Sequence, residues 1–130
     1  MGAYTHTRLT TVEDSAPKFG FADSQESRFA REDLDAESVG LAHYRIKPGV
    51  RQPFGHRHDE AEEVYVVLSG AGRMALGDEV IELEPLDAVR VEPAVMRAFE
   101  AGPDGLEVLV FGVSHEGDGE LVPGWWANEG

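Results

Sequence analysis

The feature that most limits what this chain can fold into is how often it is punctuated. Short alternating or β-branched runs are cut off by Gly, Pro and Asp along most of its length, while helical periodicity is weak throughout. Ser27–Arg31, Val39–Lys47, Val64–Leu68, Arg73–Leu76, Glu79–Leu83, Ala88–Val91, Arg97–Glu100 and Leu106–Val113 read as strands. Pro48-Gly49 ends the second of these, and Ser69-Gly70-Ala71-Gly72 ends the third. Gly77-Asp78 predicts a tight hairpin, and Gly102-Pro103-Asp104-Gly105 divides the last two runs. Val64–Leu68 is apolar on both faces, as expected of a strand covered on each side. Only Glu32–Ser38 predicts a helical turn. Close-spaced strands joined by turns predict an all-β sandwich or barrel.

The 130 residues suit one domain, with residues 1–37 as strands and an arm, 38–113 as the barrel core and 114–130 as a tail. Trp125 and Trp126 are costly to leave in water, so they are expected to staple the tail onto the barrel or onto a second subunit. With no cysteine there is no disulfide framework, thiolate site or thiol nucleophile, which is compatible with a cytoplasmic setting. Met1–Thr11 lacks the basic stretch and apolar run of a signal peptide, and no run approaches the length of a membrane span. A net charge of −14 with only two lysines, Lys18 and Lys47, argues against nucleic acid as a partner.

One stretch carries chemistry. Residues two apart on a strand point to the same face, so His56 and His58 project into one space. Glu63 opens the next strand, and a hairpin joining the two strands would set its carboxylate beside the imidazoles. Two imidazoles and a carboxylate hold iron and other imidazole-binding ions with coordination positions left open. Tyr65 shares the parity of Glu63, and His43 has the opposite parity from Tyr44 and Ile46; both are candidates to line the cavity and touch a ligand, the alternatives being a core position for Tyr65 and a surface or satisfied core position for His43. Arg45 and Arg51 read as solvated surface residues that add positive potential near the mouth. His6 and His115 are assigned no role. The acidic run Asp59-Glu60 and Glu62-Glu63 lacks the spacing of a calcium loop.

These residues resemble a known pattern. Gly49-x6-His56-x-His58-x4-Glu63-x6-Gly70 is similar to the first signature of the cupin superfamily, G-x5-H-x-H-x(3–4)-E-x6-G, with one extra residue after the first glycine. Glu63 rather than Glu62 keeps the six-residue step to Gly70. The resemblance implies a double-stranded β-helix, or jelly-roll barrel, often a homodimer, with ligands in the barrel mouth. It also implies a divalent metal (iron, manganese, nickel or zinc) on His56, His58 and Glu63.

The second signature, G-x5-P-x-G-x2-H-x3-N, falls on Leu86 to Ala101 and matches far less. Leu86 and Ala94 replace its glycines, Glu92 its proline and Ala101 its asparagine. Arg97 stands where the fourth metal ligand is expected. A guanidinium has no lone pair to give, and at ~5 Å with an effective dielectric of ~20 it repels a divalent ion by roughly 6–7 kcal/mol. Two orientations follow. Turned inward, Arg97 pairs with Glu63 and leaves the site empty; turned toward the mouth, it lets the three ligands hold a metal and itself binds the carboxylate or phosphate of a small anionic ligand.

Three functions are consistent with these residues: a metal-dependent enzyme such as a dioxygenase or isomerase, a non-catalytic module holding a small molecule, and a structural dimer with a vestigial cavity. No catalytic residue is assigned.

Overall fold

In the computed structural model, which describes residues 3–113 and 118–127, eight strands form one curled antiparallel sheet. They are β1 (Gln25–Phe29), β2 (Gly40–Ile46), β3 (Phe54–Arg57), β4 (Glu63–Leu76), β5 (Glu79–Leu83), β6 (Ala88–Val91), β7 (Arg97–Gly112) and β8 (Glu120–Pro123). The path runs β1-β2-β7-β3-β8, and β4 joins it by pairing with β7 while also carrying β5 and β6. Two short 3-10 turns, Leu9–Thr11 and Ala16–Phe19, precede the first strand. This is the expected all-β jelly-roll, and no described helix is long and apolar enough to cross a membrane.

The differences from the expected strands have local causes. Two pairs of short runs fuse into the long strands β4 and β7. Ser69–Gly72 and Gly102–Gly105 bend the chain without ending it, because register shifts between Val67 and Ser69 and between Gly70 and Gly72 let the ladder resume. The corner needs glycine. Gly70 and Gly105 both sit at positive φ, and a Cβ on Gly70 would lie 2.1 Å from the Gly105 carbonyl oxygen. The hairpin at Gly77-Asp78 forms as expected, with Leu76 opposite Glu79. Glu32–Ser38 makes turns and bends rather than a helix.

Val64–Leu68 is buried on one face only. Tyr65 and Val67 are in the core, Val64 and Val66 are half-buried, and Leu68 is exposed. The core lies between the walls of the curl and holds Met74, Phe99, Val67 and Val108, all nearly inaccessible. At one end of it, polar side chains take over from apolar ones.

β8 has no counterpart in the expected strands. It pairs with β3, setting Leu121 opposite His56. The tail then packs on its own barrel: Trp125 covers Gly55, where a Cβ would meet its ring at 2.4 Å, and the Arg51 guanidinium stacks 4.1 Å from the Trp126 ring. Of the two staples expected for the tryptophans, the one onto the barrel is formed. His115 lies outside the described residues, and His6 is exposed.

Candidate metal centre

His56 lies within β3 and His58 one residue past its end, so strand parity alone turns both rings to one side. Their centroids are 5.3 Å apart, edge to face. Glu63 does not arrive by the hairpin expected from the sequence. β3 pairs with β7 and β8, not with β4, and Glu63 instead sits opposite Val91 and Gly112. The curl of the sheet brings it to the imidazoles from a strand that is not their neighbour. Oε1 of Glu63 lies 3.2 Å from His58 Nε2 and 3.5 Å from His56 Nε2. One ligand atom from each of the three residues lies within 4.8 Å of the others.

The carboxylate is a hub. Tyr65 donates its hydroxyl to Glu63 Oε1 at 2.5 Å, and Arg97 Nη1 donates to the same oxygen at 2.7 Å. Arg97 is wholly buried and every nitrogen is used: Nε donates to the Val95 carbonyl, and Nη2 donates to those of Glu92 and Pro93. The Pro93 carbonyl also accepts the His58 main-chain N–H, so one turn holds both the guanidinium and the imidazole strand. Arg97 therefore takes the inward of its two expected orientations and is not available to a ligand's anion.

Burial alone would raise the Glu63 carboxyl, but hydrogen bonds from His56, His58 and Tyr65 outweigh it and hold the carboxyl far below the ordinary range. Burial pushes His56 down despite the nearby carboxylate, keeping it neutral. The hydrogen bond to Glu63 pushes His58 up, against partial burial.

The tail orients His58. Its Nδ1 donates to the Asp118 carbonyl at 2.9 Å, while the Asp118 carboxylate accepts the backbone N–H groups of Asp59, Glu60 and Ala61. With the Nδ1 proton given to that carbonyl, Nε2 is the nitrogen left to hold a proton or a cation, and among the described residues it is buried with no other donor. It faces a carboxylate oxygen 3.2 Å away. Two electron-rich atoms at this distance repel unless a proton or a cation lies between them. His56, His58 and Glu63 thus offer a divalent ion a three-ligand set with a carbonyl-oriented imidazole, while the inward Arg97, the orientation expected to leave the site empty, competes with an ion for the same Glu63 oxygen.

The remaining expectations divide. Tyr65 is buried in the core, edge to face with Phe99, and supports Glu63 rather than lining a cavity. His43 is not brought to the site. It lies on the opposite face of β2, where Nε2 meets Glu107 at 2.9 Å, because its neighbours Ala42 and Tyr44 take the inward parity. Arg45 is exposed near Glu107, and Arg51 pairs with Glu100 at 2.8 Å.

Two cavities open onto the cluster, of about 730 Å³ and about 490 Å³, and Phe29, Tyr44, His58 and Glu63 line both. Tyr44, Phe29 and Asp118 were not singled out in the sequence. Tyr44 was within reach, since it alternates with His43; burial and then Glu63 push its phenol up, against the pull of Arg97.

Among solved structures, the chain is similar to a cupin from Bacteroides fragilis (23% identity, 90% of this chain and 89% of that one, TM-score 0.71). It is similar to a polyketide cyclase from Streptomyces resistomycificus (19%, 96% and 88%, TM-score 0.75). It also resembles a salicylate 1,2-dioxygenase from Pseudaminobacter salicylatoxidans (16%, TM-score 0.62), of which it spans 29%. No curated protein sequence matches. The family model described as a cupin domain matches residues 42–112, more than half of the chain, and this protein therefore belongs to the cupin family.

Proposed function

We propose that this cupin is a metal-dependent enzyme acting on a small molecule in its barrel mouth, with dioxygenase or isomerase chemistry. His56, His58 and Glu63 would hold the ion, which is iron, manganese, nickel or zinc. The observation that carries this reading is the convergence of His56, His58 and Glu63, whose ligand atoms lie within 4.8 Å of one another, with His58 Nε2 turned toward a carboxylate oxygen. When bound, such an ion polarises a ligand oxygen or lowers the pKa of a coordinated water. The chain's own residues do the rest. The Asp118 carbonyl fixes the His58 tautomer, burial keeps His56 neutral, and Tyr65 and Arg97 hold the Glu63 carboxylate in one orientation. That the solved relatives include a cyclase and a dioxygenase is compatible with catalysis in this barrel.

A second reading has its own observation. The Arg97–Glu63 pair already neutralises the carboxylate, which favours a metal-free pocket that binds a small molecule without catalysis. Metal analysis of untagged protein, purified without chelator, separates the two. Stoichiometric metal that disappears in His58→Ala supports the enzyme. Absence of metal even when each ion is supplied in excess leaves the binding pocket.

A further inference from the structure

Of the two cavities at the cluster, the larger is the one walled by rings. Phe19, Phe21, Phe29 and Phe54, four of the chain's six phenylalanines, line it together with Tyr44. They come from a 3-10 turn, a loop and three different strands, so no local periodicity explains their meeting. The four phenylalanines also lie outside the main core cluster, to which only Phe99 among the phenylalanines belongs. Phe21 stacks on Phe54 with centroids 4.5 Å apart, and Phe29 stands edge-on to Tyr44 at 6.1 Å. At the rim, Phe19 is 64% and Phe29 49% exposed. Apolar rings left in water around a concave space of about 730 Å³ leave an apolar surface for a ligand to cover, in the size range of small-molecule sites.

The polar end of the same space narrows the ligand further. His56, His58 and Glu63 line it, and the Glu63 carboxylate is an acceptor for a hydroxyl donor. Charge argues against an anion. Asp118 and Glu120 line the cavity, the Glu63 carboxylate already takes the Arg97 guanidinium, and the cationic Arg57 donates to Glu120 at 2.7 Å. We infer that this chamber binds a neutral, flat aromatic ring bearing a hydroxyl, with the ring between the phenylalanines and the hydroxyl turned toward the polar end formed by His56, His58 and Glu63. This rests on the ligand-binding part of the proposed function and names its substrate class, without requiring the ion.

The test is a fluorescence titration of the full chain with naphthol, run after removal of metal by chelator and again with zinc supplied. Naphthol is expected to bind one per chain. Its saturated counterpart decalol and its anionic analogue naphthoate should each bind at least about tenfold more weakly, and Phe19→Ala with Phe29→Ala should weaken naphthol by about tenfold. Both substituted residues are largely exposed, so the variant is expected to fold; circular dichroism checks this, and Phe19→Leu with Phe29→Leu serves if it does not. Decalol or naphthoate binding as tightly as naphthol overturns the inference. So does a variant with unchanged affinity, or a dimer that dissociates in the variant while naphthol fails to bind, since the rings would then be a subunit interface. Zinc stoichiometry is scored separately. Naphthol binding without zinc uptake removes the metal reading alone, and zinc uptake without naphthol binding removes this inference alone.

Discussion

The two faces of the barrel wall treat the same chemistry in opposite ways. On the outer face His43 meets Glu107 at 2.9 Å, and on the inner face His58 meets Glu63 at 3.2 Å. Glu107 keeps access to water and spreads its bonds: Oε2 takes His43, and Oε1 accepts from Ser69. Glu63 gathers Tyr65, Arg97 and both imidazoles about a single oxygen, against a guanidinium that water never reaches. A histidine beside a carboxylate is thus no mark of a site. What distinguishes the inner pair is convergence from non-neighbouring strands into an enclosed space, where a second imidazole, a phenol and a guanidinium meet the same carboxylate oxygen.

The sharpest way to break that contrast is to remove each carboxylate's charge. Glu63→Gln leaves Arg97 buried without its counter-charge and is expected to cost about 3–5 kcal/mol in stability, while Glu107→Gln at the half-open surface should cost about 1 kcal/mol or less. Urea denaturation of the two variants decides it; equal losses would mean that the inner cluster is no more demanding than the outer pair. Next in size is Arg97→His, which removes the competing cation and adds an imidazole. Zinc affinity by competition with a chelator is expected to rise at least about 100-fold. Unchanged affinity would show that Arg97 does not stand at the fourth position.

A smaller effect is expected from Asp118→Ala. Its backbone carbonyl remains, but the carboxylate that clamps the N–H groups of residues 59–61 is gone, so His58 loses part of its orientation and zinc affinity should fall by about tenfold. His43→Ala, on the other face, should leave it untouched, and a comparable loss there would erase the distinction between the two histidines. The smallest effect belongs to the outer face. Hydrogen bonding from Arg73 lowers the Glu100 carboxyl despite slight burial, with Arg51 adding to it. Its stabilising contribution is therefore present above the unfolded carboxyl pKa and is lost as pH falls through the folded one. Thermal melts of Glu100→Gln and the parent should differ slightly near neutrality and converge in acid. A difference that grows in acid would reverse the sign.

How much of this was legible in the chain depends on the distance over which each contact acts. The strand rhythm, the Gly77 hairpin and the shared face of His56 and His58 are local, set by turn chemistry and by the two-residue period of a strand. The motif around those histidines led to Glu63. It did not reveal the route by which Glu63 arrives, because β3 and β4 are neighbours in sequence but not in the sheet. Parity marked His43 and Tyr44 as facing opposite ways, without saying which way was in. That depends on the pairing of β2 with β7, where Tyr44 falls opposite Val108. The fusion of short runs into β4 and β7 was hidden for a similar reason: glycine ends a strand or bends it according to what lies across from it, and Gly70 lies against Gly105.

By itself, then, the sequence determined a small all-β cupin barrel, the pairing of two imidazoles on one side, and the cationic character of the position where another ligand was expected. Tertiary structure alone decided that Arg97 turns inward to Glu63, that Asp118 orients His58, and that four scattered phenylalanines surround one chamber. The physical reason is range. Backbone period and turn preference act over a few residues, whereas these contacts join positions tens of residues apart, and their partners exist only once bulges have set the register and the sheet has curled.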